Sequence, residues 1–164
     1  MNFLALDFET ANYYQDSACA LGLVRVENNE IVEQKSFLIR PPYKYFVFTY
    51  IHGITWEDVE DQPTFEQHWE FIRPYFDGID FAVAHNAGFD RSVLYACCAR
   101  HKIIKPDVDF QCTMKLARKV FRLYPTNLPA VCRSFNIELR HHDALSDTLA
   151  CAKIMIEILK KTGI

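Results

Sequence analysis

Short apolar runs in the first two thirds of the chain predict β-strands. Residues 3–6 (FLAL) are continuously apolar, as in a strand that is covered on both faces. The stretch SACALGLVRVENNEIVEQKSFLIRPP predicts two strands joined by a tight turn at residues 27–30, whose central Asn-Asn pair tolerates positive φ. Residues 41–55 are rich in aromatic side chains and predict a loop. Residues 80–84 (DFAVA) and 108–110 (VDF) predict two later strands.

Helical periodicity begins at Thr64, which is a suitable N-cap for a helix that extends to Phe76. A second helix is expected over residues 91–101, and two more lie near 111–120 and 128–135. The final helix begins near Asp143 and carries on one face Leu145, Leu149, Ala152, Ile156 and Leu159. Three early strands followed by strands that alternate with helices predict an α/β fold, in which helices flank a mixed sheet.

Length and composition restrict the class of protein. A chain of 164 residues predicts one domain, 1–164, and its 50% hydrophobic and 24% charged residues are typical of a globular protein. No apolar run reaches the ~20 residues that a membrane-spanning helix needs. No basic segment precedes the first apolar run, so we expect no signal peptide and a cytoplasmic location. A net charge of −3 means that a nucleic-acid partner would have to be held locally.

The six cysteines show neither a CxxC pair nor regular spacing. Most of them lie in apolar contexts such as LYACCAR and LACAKI. We therefore expect reduced core residues rather than disulfides or a cysteine zinc site.

Acidic residues at the ends of predicted elements point to a chemical site. Asp7 and Glu9 are alternate residues of the first strand, so their carboxylates lie on one face and require positive compensation. Asp90 follows the strand DFAVA, and Asp147 lies in the first turns of the last helix, five residues after His142. Strand ends and helix N-termini form the crevices of α/β sheets. Oxygen ligands suit Mg²⁺ or Mn²⁺, and clustered carboxylates typically hold two metals for phosphoryl chemistry.

Together, DxE at the end of strand one, HNxxFD in mid-chain and HxxxxD in a C-terminal helix resemble the three motifs of the DEDDh (DnaQ-like) 3′–5′ exonucleases of the ribonuclease-H-like superfamily. The stretches FLALDFETA, IHGIT and HHDALSDT are most similar to the exonuclease X and bacterial proofreading (epsilon-type) groups. The resemblance implies a five-stranded mixed sheet, antiparallel in its first three strands and then parallel. It also implies release of nucleoside 5′-monophosphates from DNA 3′ ends, preferably single-stranded.

The resemblance also implies a role for each motif residue. Asp7, Glu9 and Asp147 would hold the metal that binds the attacking water, Asp7 would bridge to a second metal, and Asp90 would support that metal largely through water. His142 would be the general base, because an unperturbed imidazole with a pKa of about 6.5 accepts a proton near neutrality. The cofactors would be two divalent cations, Mg²⁺ or Mn²⁺.

Three further residues match family positions at the substrate end. Thr10 would contact the terminal sugar, and His52 and Phe89 would stack on or pack against the terminal nucleotide. Stacking holds any base, which suits an enzyme that digests all sequences. Core packing is an equally good interpretation of His52 and Phe89.

Two neighbours of the third motif are interpreted as structural. Asp143 is expected to cap the last helix rather than to bind metal. His141 lies one residue from the family position and is expected to be structural or to face solvent.

Two other functions fit the same motifs. One is an exoribonuclease, because DNA and RNA are distinguished by how the site receives a 2′-hydroxyl. The other is a non-catalytic subunit associated with a DNA polymerase, although all five expected active-site residues are present. The motifs do not distinguish a free-standing enzyme from a proofreading partner.

Overall fold

A five-stranded mixed sheet forms the centre of the structure, a computed structural model that describes residues 1–163. The strands are β1 (Phe3–Thr10), β2 (Ala18–Glu27), β3 (Glu30–Leu38), β4 (Phe81–Ala84) and β5 (Phe110–Cys112), in the order β3-β2-β1-β4-β5. Strand β2 pairs antiparallel with β1 and β3, whereas β4 pairs parallel with β1 and β5. The predicted α/β class and its antiparallel-then-parallel sheet are therefore confirmed.

Within the described part of the chain, seven helices surround the sheet: α1 (Thr49–His52), α2 (Trp56–Val59), α3 (Phe65–Ile72), α4 (Ala87–Arg100), α5 (Thr113–Phe121), α6 (Leu128–Phe135) and α7 (Ala144–Thr162). Two hydrophobic clusters join them to the sheet. One cluster packs α3 and α4 against one face, and the other packs α5, α6 and α7 against the opposite face. No helix within residues 1–163 combines the length and the apolarity that crossing a membrane would require.

Local signals placed several elements correctly. The β2–β3 turn has positive φ at Asn28 (53°) and Asn29 (65°), as two consecutive asparagines allow. Thr64 caps α3, and its side chain accepts a hydrogen bond from the backbone N–H of Gln67. Asp143 caps α7 by accepting from the N–H of Ser146 at 2.8 Å. All six cysteines are free, and five of them are buried.

Other boundaries differ from the prediction. The helix predicted to reach Phe76 ends at Ile72 and continues as a 3₁₀ turn over Arg73–Phe76, because Pro74 cannot donate the next helical hydrogen bond. Helix α4 begins at Ala87 rather than Arg91, so Asp90 lies in its first turn. Strand β5 begins two residues later than predicted, at Phe110.

The loop over residues 41–55 and the buried face of the last helix also differ from the prediction. The predicted loop 41–55 contains the four-residue helix α1. On α7, Ala152 and Leu159 are buried as expected, but Leu145, Leu149 and Ile156 are only partly buried. The most deeply buried face of α7 instead includes Thr148, Cys151 and Ile154, because the helix lies across both β1 and β2.

Candidate active site

Asp7 and Glu9 lie on one face of β1, where α7 crosses the sheet. Asp7 is paired in register with Gly22 of β2. A Cβ atom at Gly22 would overlap the carbonyl oxygen of Ala144 and Oγ1 of Thr148 in α7. The glycine therefore permits the first turns of α7 to contact the sheet beside Asp7, and this close approach brings Asp147 to the same place.

Asp90 is held against the strand between the two other acids. Its Oδ1 accepts a hydrogen bond from the backbone N–H of Phe8 at 2.9 Å, and its side chain is buried. This bond joins the first turn of α4 to β1 over 82 residues of sequence. Because Phe8 lies between Asp7 and Glu9, a single contact sets the position of Asp90 relative to both.

Asp147 uses only one of its two carboxylate oxygens. Oδ2 accepts from Nδ1 of His141 at 2.9 Å and from the backbone N–H of His142 at 3.1 Å. Oδ1 is buried and has no hydrogen-bond partner among residues 1–163. A buried carboxylate oxygen without a partner is costly, so this atom is a candidate ligand for a cation.

Burial and mutual repulsion raise the pKa of each acid. Burial, followed by repulsion from Asp147, Asp90 and Asp143, raises the pKa of Glu9 to about 8. Burial raises the pKa of Asp90 to about 7, although the hydrogen bond from the N–H of Phe8 acts to lower it. Burial and the neighbouring carboxylates raise the pKa of Asp7 well above its ordinary value. The pKa of Asp147 is raised by burial and lowered in part by the two histidines. Such a cluster is stable in its ionised form only with a compensating positive charge.

The donor set fits a hard divalent cation. Asp7, Glu9 and Asp147 each offer one oxygen, and these oxygens all lie within 4.8 Å of one another. All three donors are carboxylate oxygens, and Oδ1 of Asp147 lacks any other partner among the described residues. This chemistry suits Mg²⁺ or Mn²⁺ rather than a soft metal.

His142 lies at the rim of the carboxylate cluster. Its backbone has a φ of 69°, a left-handed conformation in which histidine is enriched among non-glycine residues. Its ring stacks on that of His141 with centroids 3.8 Å apart, and it lines a small cavity with His52. Burial and then the adjacent His141 lower the pKa of His142, so its imidazole is neutral near pH 7. A neutral, partly accessible imidazole is able to accept a proton.

His52 is fully engaged with the backbone. Its Nε2 donates to the carbonyl oxygen of Thr10 at 3.0 Å, and its Nδ1 accepts from the N–H of Ile54 at 3.1 Å. These two bonds define the tautomer and fix the loop around α1 to the end of β1. Burial lowers the pKa of His52. Only the ring surface of His52 is left for contact with a substrate, while Thr10 itself is buried.

Phe89 is placed differently from the other predicted substrate residues. It lies in the first turn of α4, directly before Asp90, and its side chain is 43% exposed. An exposed phenylalanine beside a buried carboxylate is available for stacking by a ligand.

Three residues that contribute to the site were missed by sequence reasoning or given another role. Gly22 is one, and no local signal identifies a glycine required for close packing. His141 was expected to be structural or to face solvent, yet it contacts Asp147 while remaining 38% exposed. His85 joins two segments beside the site: its Nε2 donates to the carbonyl of Thr126 at 2.9 Å, and its Nδ1 accepts from Oγ1 of Thr113 at 2.8 Å. His85 lies in the HNxxFD motif and His141 in the stretch HHDALSDT, so their positions in the sequence already associated both with the site.

Comparison with known proteins identifies related chains. The model of the RNase_T exonuclease family matches residues 4–155. Exodeoxyribonuclease 10 of Escherichia coli (strain K12) is 32% identical over 174 residues, which cover 96% of this chain and 69% of that protein. DNA polymerase III subunit epsilon of Aquifex aeolicus (strain VF5) is 31% identical over 167 residues, 97% of this chain and 81% of that protein. The solved structure of exonuclease X in complex with 5′ overhanging duplex DNA superposes with a TM-score of 0.78 at 28% identity and covers 99% of this chain and 93% of that chain.

Proposed function

This chain belongs to the RNase_T exonuclease family, and from that we propose that it removes nucleoside 5′-monophosphates from DNA 3′ ends with Mg²⁺ or Mn²⁺. Family membership confirms the predicted resemblance to DEDDh exonucleases and the expectation of a nuclease enzyme. Exonucleases of this family use divalent metal ions, and the choice between Mg²⁺ and Mn²⁺ is part of the proposal.

The observation that carries the proposal is the convergence of four carboxylates from three distant segments. Asp7, Glu9 and Asp147 would hold a divalent cation, Asp7 would bridge to a second cation, and Asp90 would support that second cation. Bound there, the cations would stabilise charge on the phosphate and lower the pKa of the attacking water. The chain itself fixes the carboxylates through the Phe8–Asp90 bond and the two bonds to Asp147.

His142 is the proposed general base. Its lowered pKa keeps the ring neutral at pH 7, so a ring nitrogen is free to take a proton from water. The left-handed backbone at His142 directs its N–H to Asp147, which ties the base to a metal ligand. The ring nitrogens of His141 and His142 and one oxygen of Asp147 all lie within 4.8 Å of one another, which supports a role for His142 at the carboxylate cluster.

The terminal nucleotide would be held by Thr10, His52 and Phe89. Phe89 offers an exposed ring for stacking on a base, and stacking requires an unpaired terminal nucleotide. Both nitrogens of His52 bind backbone, so His52 would pack against the nucleotide through its ring surface. We therefore expect single strands and frayed ends to be better substrates than perfect duplex.

DNA is favoured over RNA by the names of the similar proteins. Exodeoxyribonuclease 10 is named for action on DNA, and the exonuclease X structure contains duplex DNA with a 5′ overhang. The similarity to the epsilon subunit of DNA polymerase III supports association with a polymerase as a further part of this proposal.

A labelled-strand assay tests the proposed reaction. The purified protein should release 5′-monophosphates from 3′-labelled single-stranded DNA with Mg²⁺ or Mn²⁺ and should stop in excess chelator. A matched RNA strand and a strand with a bulky 3′ block should be cut more slowly. Robust digestion in chelator would exclude the metal-dependent reaction, and faster cutting of RNA would identify an exoribonuclease. No digestion of any strand, with metal bound, would identify a non-catalytic subunit.

A further inference from the structure

The segment from β5 to the end of α6 is basic in an otherwise acidic chain. Residues 110–137 contain no Asp or Glu and these five basic residues: Lys115, Arg118, Lys119, Arg122 and Arg133, whereas the whole chain has a net charge of −3. All five side chains are exposed, and no carboxylate of residues 1–163 lies within 4.0 Å of any of them. Unpaired cations concentrated in one segment indicate an anionic partner.

Three of these cations lie along one face of α5, and Arg122, the C-cap residue that follows the helix, extends them into a stripe of four. Arg118, Lys119 and Arg122 follow Lys115 by three, four and seven residues, a spacing that places all four on the same side of a helix. The opposite side of α5 is buried through Thr113 and Ala117. The stripe is about 10 Å long at 1.5 Å per residue, which is long enough to contact more than one phosphate of a strand.

Helix α5, which carries the stripe, begins at the end of the sheet where the carboxylates lie. Strand β5 is parallel to β4 and β1, so α5 starts at the carboxyl ends of these strands, where β1 carries Asp7 and Glu9. Oγ1 of Thr113 lies 3.6 Å from Sγ of Cys151, one helical turn after Asp147. His85 binds both Thr113 and the carbonyl of Thr126, so the loop that follows α5 returns to the same end of the strands.

That loop adds an aromatic side chain to the cations. Nη2 of Arg118 donates to Oγ1 of Thr126 at 2.9 Å, and the Arg118 guanidinium lies 6.0 Å from the ring centroid of Tyr124. Tyr124 is 86% exposed. A cation beside an exposed aromatic ring is a combination that binds the phosphate and the base of a single strand.

We propose that this basic face of α5, with Tyr124, binds the sugar–phosphate backbone of the strand whose 3′ end lies in the carboxylate site. The inference rests on the proposed function, because it takes the nucleic-acid end to be at Asp7 and Asp147. The divalent cations of the proposed site would contact only the terminal phosphate, so the phosphates that precede it need other cations to retain the strand. The continuity of the basic face with the site and its charge favour a nucleic acid over an acidic protein as the occupant.

A paired comparison of variants tests the proposal. Lys115→Gln combined with Lys119→Gln removes two cations from the stripe. Lys35→Gln combined with Lys161→Gln removes the same charge from β3, at the opposite edge of the sheet, and from the end of α7. Each protein is assayed on a 20-nucleotide DNA strand and on the p-nitrophenyl ester of thymidine 5′-monophosphate, over a range of salt concentrations. The small ester reaches only the carboxylate site.

The stripe variant should lose on the order of tenfold in kcat/KM on the long strand near 0.1 M salt. The slope of log(kcat/KM) against log salt concentration should become shallower by about 1.4, or about 0.7 for each lost phosphate contact. Ester hydrolysis by the stripe variant and both activities of the control variant should be unchanged. An unchanged salt slope, an equal loss in the control variant, or an equal loss on the ester would overturn the proposal.

Binding measurements separate this proposal from the proposed function. If the wild-type protein hydrolyses neither substrate, the proposed function fails, and anisotropy of a fluorescent strand still tests the basic face. The stripe variant alone should then bind the strand more weakly. Equal binding of poly-glutamate and DNA by the wild-type protein, lost together in the stripe variant, would overturn the strand assignment in favour of an acidic protein.

Discussion

Nδ1 of His141 lies 2.9 Å from Oδ2 of Asp147, so the histidine beside the proposed base contacts a proposed metal ligand. The backbone N–H of His142 donates to the same oxygen at 3.1 Å. Two consecutive residues therefore hold Oδ2, whereas Oδ1 of Asp147 has no partner among residues 1–163 and is the proposed ligand of a cation. His141 thus positions the carboxylate of Asp147, a role that its place in the sequence did not indicate.

Removal of the His141 ring should weaken metal binding more than turnover. In His141→Ala, the bond from the N–H of His142 remains, so Asp147 stays near its place but is less firmly oriented. We expect the metal concentration at half-maximal activity to rise about 3- to 10-fold, equivalent to roughly 1 kcal/mol for one charge-assisted hydrogen bond, with kcat at saturating metal little changed. A metal titration checks this, with Asp143→Ala as the control, which should lose about 1 kcal/mol of stability as a lost helix cap. An unchanged metal requirement in His141→Ala would contradict the positioning role.

His142→Ala should instead lower turnover and leave metal binding nearly unchanged. Loss of a general base typically lowers kcat by about 10²–10⁴-fold, or roughly 3–5 kcal/mol of barrier, while the carboxylates still bind metal. Because burial and His141 lower the pKa of His142 from its ordinary 6.5, the acidic limb of the wild-type rate profile should lie below that value. Steady-state rates from pH 5 to 9 measure both effects. If His141→Ala were the inactive variant and His142→Ala the active one, the third motif would be displaced by one residue.

Asp7→Ala should abolish both metal binding and turnover. Asp7 shares the oxygen cluster with Glu9 and Asp147 and is the proposed bridge between two cations. Calorimetric titration with Mn²⁺ should show no high-affinity binding to this variant, whereas His142→Ala should bind as the wild type does. Normal Mn²⁺ binding by Asp7→Ala would remove Asp7 from the ligand set.

The metal-free protein should lose stability as pH rises. Glu9 and Asp90, with pKa values of about 8 and about 7 in the folded state, bind protons more tightly there than in the unfolded chain, where carboxyl pKa values are about 4. The folded state then holds more protons between about pH 4 and pH 8, so the free energy of unfolding falls across this window as pH increases. Thermal melts in chelator from pH 4 to 9 should show this fall, and saturating Mg²⁺ or Mn²⁺ should reverse it at high pH.

Asp90→Asn tests the electrostatic origin of that fall. The amide oxygen of asparagine still accepts from the N–H of Phe8, but the buried charge is gone. In chelator at pH 8 the variant should melt above the wild type, by about 2–4 °C for each kcal/mol recovered. Its activity should nevertheless fall. Asp107→Asn, a change at an exposed acid, should leave the melting temperature unchanged.

Gly22→Ala should displace α7 from the sheet. The added methyl group would overlap backbone and side-chain atoms of α7, and such overpacking typically costs about 1–3 kcal/mol. Because Asp147 lies on the displaced helix, metal affinity should fall with stability. Gly88→Ala is the matched control, since a Cβ there meets no atom within 4 Å and alanine favours a helix. Equal melting temperatures for the two variants would show that Gly22 is not needed for this packing.

The sequence alone determined the features that depend on neighbouring residues. The tight turn at Asn28-Asn29 and the caps at Thr64 and Asp143 are set by backbone preferences within a few positions, and the structure has all of them. The acids of the three motifs were also identified by sequence, because a strand places Asp7 and Glu9 on one face whatever the rest of the chain does.

How distant segments meet depends on tertiary packing, which local sequence does not reveal. The contacts of Gly22 with α7, of Phe8 with Asp90 and of His85 with Thr126 join residues that are far apart in the chain, and packing rather than local preference selects them. Local periodicity fixes which side chains share a face of one element, whereas the buried volume between elements fixes which faces come together.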